Sequence, residues 1–399
     1  MPRLSLSAQG PYPAARAHGV VRTREAALAH NWSSLAGQSA TDGHPAVIAW
    51  RGEFIEAVHP FSAAAVDASG PLGHMGPTLR TPMRSAAKSL QLEVSLGLLP
   101  PPARAALLAN PDFLAIGAAS HSASARHLAV VDALMAQLGV TEADLRCGGH
   151  RPIDDDVADA LVRVGQSHGA RHNNCSGKHA VMVAAARALQ ATGSGDASDY
   201  LDAAHPLQRA IAAHTAAAAG EVPGLAVDGC GVPTFVLSLT AIARAFQRLA
   251  AAMVDDDDDA ARPATGRALA GAALGDLRLA AAIGWAMARQ PLLVSGQGRL
   301  DLLLTEQASE PIAVKIGAQG VFCLALPRRR LGIAVKVASG VTEALPTAVL
   351  AALDVFAPGA MPAQPAAWPF ATLRNVVGRE VGAYRLAGRL AVESPAPSR

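Results

Sequence analysis

Lysine is the scarce residue. Of the 34 basic side chains in this 399-residue chain, four are lysines (Lys88, Lys178, Lys315 and Lys336) and the other 30 are arginines. Arginine serves for almost every surface cation, but it does not give up its proton, whereas a desolvated lysine does. Each lysine therefore marks a candidate position where arginine would not serve, to be weighed against four surface lysines left by chance. Aromatic residues make up only 4% of the chain, and alanine is abundant, which favours helices packed closely through small side chains. Charge of one sign is also nearly lacking in excess, since the net charge is +2; nothing calls for a nucleic-acid partner or an anionic membrane surface. No apolar run is long enough to span a bilayer. The first forty residues hold no secretory h-region, with Arg3, Arg16, Arg22 and Arg24 scattered among Gly, Ala and His. Residues 1–43 are expected to form a poorly ordered extension, and a cytoplasmic location is the default. Four cysteines, at 147, 175, 230 and 323, are too few for a disulfide framework and are either small buried residues or metal ligands. The 51% hydrophobic content excludes wholesale disorder.

Strand signals sit at the two ends of the remaining chain. Residues 46–50 and 54–58 flank an Arg51-Gly52 turn, and Ala63 to Asp67 either extends the second strand or forms a third. Ile312, Val314 and Ile316 alternate with Ala313, Lys315 and Gly317, and two more strands follow across the turn Arg328-Arg329-Arg330. Between the ends, residues about 82–295 read as helical, with Leu128, Val131, Met135 and Leu138, then Leu239, Ile242, Phe246 and Leu249, at helical spacing. Asp255 to Asp259 reads as a solvated loop, and Ala360 to Pro369 as a surface connection. The expectation is one domain over residues 44–399. Its antiparallel sheet would be built from both chain ends, about 44–68 and 311–340, and packed with the helical middle, an α/β (α+β) arrangement.

Two constellations carry chemistry. Ser85 and Lys88 in RSAAKSL are three apart, so in a helix beginning near Pro82 they share a face. A serine hydroxyl needs a base to become a nucleophile, and a neutral buried lysine is one. A lone SxxK arises by chance. Here Ser120-His121-Ser122 and Lys315-Ile316-Gly317 stand in the second and third places, in order, of the S-x-x-K, Ser-containing triplet, K-T-G set of penicillin-binding proteins and class A β-lactamases. The second constellation is HNNCSGKHA with DGCGVP. Cys175 and Cys230 on tight turns are either zinc ligands, completed by Lys178 or His179, or two inert buried thiols. Cys147 and Cys323 read as structural.

Taken in order, RSAAKSLQ, AIGAASHSASARH, RCGGHRP, HNNCSGKHA, DGCGVPTF and VKIGAQGVFC resemble the bacterial asparaginase II family, the rhizobial-type L-asparaginases. The likeness runs from about Ala46 to about Gly340. It implies a fold like that of serine β-lactamases and glutaminases, and hydrolysis of a small-molecule amide such as L-asparagine by a homodimer. It implies catalytic pairs Ser85–Lys88 and Ser120–Lys315, zinc held by Cys175, Lys178 and Cys230, and substrate contacts from His179, Asp228, Arg84 and Gly317. Zinc would position substrate or support local structure. Lys336 is left without a role. Two segments depart from the family pattern: SHSAS (residues 120–124) stands where SHSGE is usual, and GQGRLDL (residues 296–302) where GEGRFDT is common. These departures bear on substrate recognition and leave open a different amide, or a silent amino-acid-binding paralogue.

Overall fold

Alternation along the strands fixes which side chains face which layer. The computed structural model describes residues 44–254, 275–362, 369–388 and 390–394. Strands β1 (Ala46–Arg51), β2 (Phe54–Asp67), β3 (Gly70–Met75), β7 (Ala313–Gly317), β8 (Val321–Leu326), β9 (Leu331–Val337), β10 (Thr372–Arg374) and β11 (Glu380–Ala387) form one sheet. Its order is β10-β11-β1-β2-β9-β8-β7 with β3 paired to β2, and every pairing is antiparallel. The sheet is thus closed from both ends of the chain, as expected. Ala63 to Asp67 extends the second strand rather than forming a third.

Twelve α-helices surround it among the described residues: α1 (Lys88–Leu98), α2 (Pro101–Leu108), α3 (Pro111–Gly117), α4 (Ala125–Leu138), α5 (Asp155–Arg163), α6 (Ser176–Ala191), α7 (Pro206–Ala219), α8 (Leu239–Val254), α9 (Leu277–Arg289), α10 (Pro291–Val294), α11 (Leu300–Gln307) and α12 (Leu345–Phe356). The helical middle is not purely helical. A second sheet, with β4 (Arg80–Pro82) and β5 (Gly224–Val227) on either side of β6 (Pro233–Ser238), lies within it. Pairs β4–β6 join segments about 155 residues apart, so their partners were not visible in local pattern. The C-terminal strands β10 and β11 were likewise unexpected, and they continue the sheet beyond β1. Residues 1–43 and Asp255 to Asp259 lie outside the described residues.

The large sheet has a core on each face. Phe322, Leu324 and Leu326 of β8, with Ile333, Val335 and Val337 of β9, pack against α12. The alternate residues Val321, Cys323, Ala325 and Ala334 face the helical layer. Small side chains on that face let α8 come close. A Cβ on Gly332 would lie 2.1 Å from the Ala243 carbonyl oxygen and 2.2 Å from the Gln247 nitrogen, so only glycine permits this contact. Burial on both faces also corrects the outward alternative for Lys315, which is 0% exposed. Lys336 acquires a role: its amine donates to the Gln319 (2.6 Å) and Val337 (2.7 Å) carbonyls and ties down the β7–β8 turn. Among the described residues no helix is long and apolar enough to cross a membrane.

Helix α1 is anchored from below by a buried carboxylate. Glu93 is 2% exposed and accepts two hydrogen bonds from Arg248 of α8 (2.8 and 2.6 Å), with His214 of α7 at 3.1 Å. Burial works to raise the Glu93 pKa, but hydrogen bonds from His214 and Arg248 outweigh it and leave it below the ordinary value. Its stabilisation is therefore complete above the ordinary carboxylate range and is lost as pH falls through the lowered folded pKa. Glu93→Ala, which strands the arginine, is expected to lose about 3 kcal/mol in urea denaturation at pH 7. The difference from wild type should shrink under acid.

Candidate active site

Ser85 lies on a 3₁₀ turn, Arg84–Ala87, that leads directly into α1. Two anchors set this turn in place. The Met83 N–H donates to the Phe235 carbonyl of β6 at 2.8 Å, and the Arg84 N–H donates to the Thr234 hydroxyl at 3.1 Å. Arg84 itself has φ +52°, a left-handed conformation that costs a side-chain-bearing residue energy. Strand β7 passes close by: a Cβ on Gly317 would lie 2.6 Å from the Met83 carbonyl oxygen. Gly317 is thus needed for the strand to approach the Ser85 turn.

Lysine 88 is fully buried. Its amine donates to the Ala119 carbonyl, lies 3.0 Å from the Ser120 hydroxyl and donates to the Asn174 carbonyl at 3.1 Å. From the other side the Lys315 amine is 2.8 Å from the same hydroxyl and donates to its neighbour's carbonyl, Ile316, at 2.9 Å. Ser120 therefore bridges two buried lysines from distant parts of the chain. The Ser120 hydroxyl has two lone pairs, and both amines are placed to donate to it. Two ammonium groups so close in a dry interior would repel each other, which favours a neutral amine. Burial lowers the pKa of Lys88, and burial carries that of Lys315 down to about 7 despite the nearby Asp301 carboxylate.

The spacing of Ser85 and Lys88 predicted a direct contact, and the structure places Lys88 elsewhere. Among the described residues the half-buried Ser85 hydroxyl makes no hydrogen bond. A long side chain on the first residue of α1 reaches past the adjacent serine to acceptors brought in by residues 119, 120 and 174. Both lysines converge on the second serine.

The thiols form the opposite wall. Cys175 and Cys230, each 5% exposed, lie near enough to each other and to Lys88 and Lys178 for their protonation to be linked. The hydrogen bond from Cys230 and the two lysines pull the Cys175 pKa well below its ordinary value, while Cys230 holds its proton. One thiol of the pair ionises readily. Burial opposes the charge on Lys178, but the thiols Cys230 and Cys175 more than offset it and raise its pKa; its amine donates to Gln91 at 3.2 Å. Among the described residues no trio of His, Cys, Asp or Glu is placed to hold a metal, so His179 does not complete the thiol pair. His179 instead bonds Tyr200 through Nδ1 at 2.7 Å, with Nε2 buried and unpartnered. Two thiols with a lysine amine nearby are donors of the kind zinc takes, once the amine and thiols give up their protons. Cys147 and Cys323 lie apart, their thiols held protonated by burial, Cys147 at about 12.

Beside the thiols, Arg84 donates to Asp228 at 2.7 Å. Burial would raise the Asp228 pKa; Lys178 and Arg84 bring it below the ordinary value. Two supporting groups escaped notice in the sequence. Asp301, 1% exposed, accepts the Ile316 N–H at 2.9 Å and keeps a second, unpartnered oxygen. Asn174 supplies the carbonyl to Lys88 and a side-chain oxygen to the Cys175 thiol at 3.1 Å. Asn174 stood inside the HNNCSGKHA motif, but nothing in the sequence tied either residue to a lysine 86 or 14 positions away.

A mixed α/β structure with an antiparallel sheet drawn from both chain ends, and a Ser–Lys site at the junction of sheet and helices, defines a β-lactamase-like fold. The family model of L-asparaginase II matches residues 47–386, and the chain belongs to that family. It is an asparaginase-like amidohydrolase. No curated protein matches it.

The buried amine of Lys315 generates a stability test. Its pKa falls from an ordinary value near 10.5 to about 7 on folding. The unfolded chain thus binds the extra proton between those values, and folding is penalised increasingly as pH drops from about 10 to about 7. Lys315→Met should therefore gain stability over wild type that is greater at pH 7 than at pH 10, read by urea denaturation at both.

Proposed function

We propose that this amidohydrolase cleaves the side-chain amide of L-asparagine, with Ser85 as nucleophile and the Lys88–Ser120–Lys315 chain as its proton relay. The observation that carries this reading is the Ser120 hydroxyl held between two buried amines at 3.0 and 2.8 Å. Ser85 is partly open, and among the described residues its hydroxyl is unengaged. Its oxygen attacks the amide carbon and its proton passes to the lysine–serine–lysine chain. The oxyanion is met by backbone N–H groups beside Ser85 and at the end of β7. The relayed proton goes to the amide nitrogen, the C–N bond breaks and ammonia leaves. Water then attacks the acyl-enzyme ester, giving its proton back through the same chain as Ser85 is released. Like-charge proximity between Lys88 and Lys315 favours a neutral amine.

Arg84, Asp228 and His179 border the reacting end from the thiol side. Cys175, Lys178 and Cys230 would hold zinc, which when bound supplies a fixed positive charge anchoring the two thiol-bearing turns. The thiols give up their protons to it, so its uptake is pH-dependent. Protein stripped of metal is expected to gain several degrees in melting temperature on adding Zn²⁺. Cys230→Ser should abolish that gain, and an unchanged melt of wild type with zinc contradicts the donor set.

Ammonia release from L-asparagine is the direct test. Wild type should turn over, and Ser85→Ala should lose at least 10³-fold in kcat. Undiminished turnover by Ser85→Ala would sink the nucleophile assignment. Because the relay needs an unprotonated amine, kcat/KM should fall on the acid side with a midpoint near 7, a value belonging to the coupled lysine–serine–lysine cluster. A flat profile from pH 6 to 8 argues against the relay. A different amide substrate is the second reading, favoured by the altered residues 120–124 and 296–302.

A further inference from the structure

Those two altered segments meet in one place. A cavity of about 290 Å³ is lined by Ser122, Gln297, Arg299, Asp154, Asp155 and Asp156. Ser122 follows Ser120 by two residues, and the Arg299 charge is felt at Lys315. Gly296, at φ +145°, makes the junction: a Cβ there would lie 2.2 Å from the Ser122 hydroxyl and 3.5 Å from Arg299 Cδ. Serine and arginine are thereby held side by side.

The polar groups of this cavity lack partners. Ser122 is 4% exposed, and its buried hydroxyl makes no hydrogen bond. Arg299 Nε is buried without a partner, and among the described residues its guanidinium makes no ion pair. A buried polar atom left unpaired is costly, so its retention in a cavity wall points to something that enters. The acidic rim differs from residue to residue. Asp154 donates its N–H to the Ser122 carbonyl at 3.0 Å, and its carboxylate caps α5 by accepting from Asp156 and Val157. Asp155 is paired with Arg151 at 2.5 Å. Asp156 makes no ion pair among the described residues.

The cavity lining thus holds a guanidinium and a hydroxyl without ion-pair or hydrogen-bond partners among the described residues, and at its exposed rim the carboxylate of Asp156. A simple anion would meet the acidic rim, and a simple cation would meet Arg299. A zwitterion satisfies both. We propose that this cavity is the headgroup site for an α-amino acid, with Arg299 and Ser122 taking the α-carboxylate and Asp156 the α-ammonium. The proposal deepens the amidohydrolase reading and rests on it only for placing the reacting amide at the Ser120–Lys315 side.

The test is calorimetric titration of the full-length protein with L-aspartate and with β-alanine, which lacks the α-carboxylate. Wild type should prefer L-aspartate by about tenfold to hundredfold, the worth of a hydrogen bond to a charged group. Arg299→Gln should erase that preference. Ser122→Ala should reduce it severalfold while melting at or above the wild-type temperature, because the lost hydroxyl has no protein partner; it serves also if the arginine variant fails to fold. A preference retained in Arg299→Gln, or absent from wild type, overturns the site. Ammonia release by a wild type without the preference would leave the hydrolase standing and remove the headgroup site alone. The preference without ammonia release would do the reverse.

Discussion

The Ser120 hydroxyl, pinned between the amines of Lys88 and Lys315, is the interaction on which the rest of the arrangement depends. Two ammonium groups sharing one hydroxyl in a dry interior would repel each other. The site is stable only if the cluster carries fewer protons than it would in water. That condition turns a structural feature into a chemical one, because an amine kept neutral near pH 7 is a base. Arginine could not meet the condition, which accounts for lysine at 88 and 315 in a chain that otherwise spends arginine freely.

Bringing these side chains together requires close approaches at the backbone level. Lys88 rides on a helix whose underside is fixed by Glu93 to α7 and α8, and Lys315 rides on a strand fixed through Asp301. Gly332 lets α8 lie directly on the sheet, and Gly317 lets β7 lie on the turn that carries Ser85. The small residues on the helical face of the sheet serve the same end. Their large neighbours on the other face pack against α12 and supply a second hydrophobic core.

Much of this was legible before any coordinates. Period-two alternation exposed the end strands, helical spacing exposed α4 and α8, and scarcity singled out the lysines. The limit was distance along the chain. Nothing local distinguishes β6 as the strand between β4 and β5, because its pairing depends on a partner about 155 residues away. The three-residue spacing of Ser85 and Lys88 was read as contact, yet a long side chain reaches whichever acceptors the fold delivers, and these come from residues 119, 120 and 174. Asp301 and the Glu93–His214–Arg248 cluster look like ordinary charges on helices until tertiary structure buries them. His179 stands four residues after Cys175, yet its ring bonds Tyr200.

The scarcity of lysine also makes the central claim directly measurable. Protein labelled with ¹³C and ¹⁵N only at lysine gives four side-chain signals, which Lys→Arg or Lys→Met variants assign one by one. The account predicts that the Lys315 signal titrates with a midpoint near pH 7, and that Ser120→Ala shifts this midpoint. If all four lysines instead stay protonated through pH 9, no amine in the cluster is a base at working pH and the proton relay is wrong.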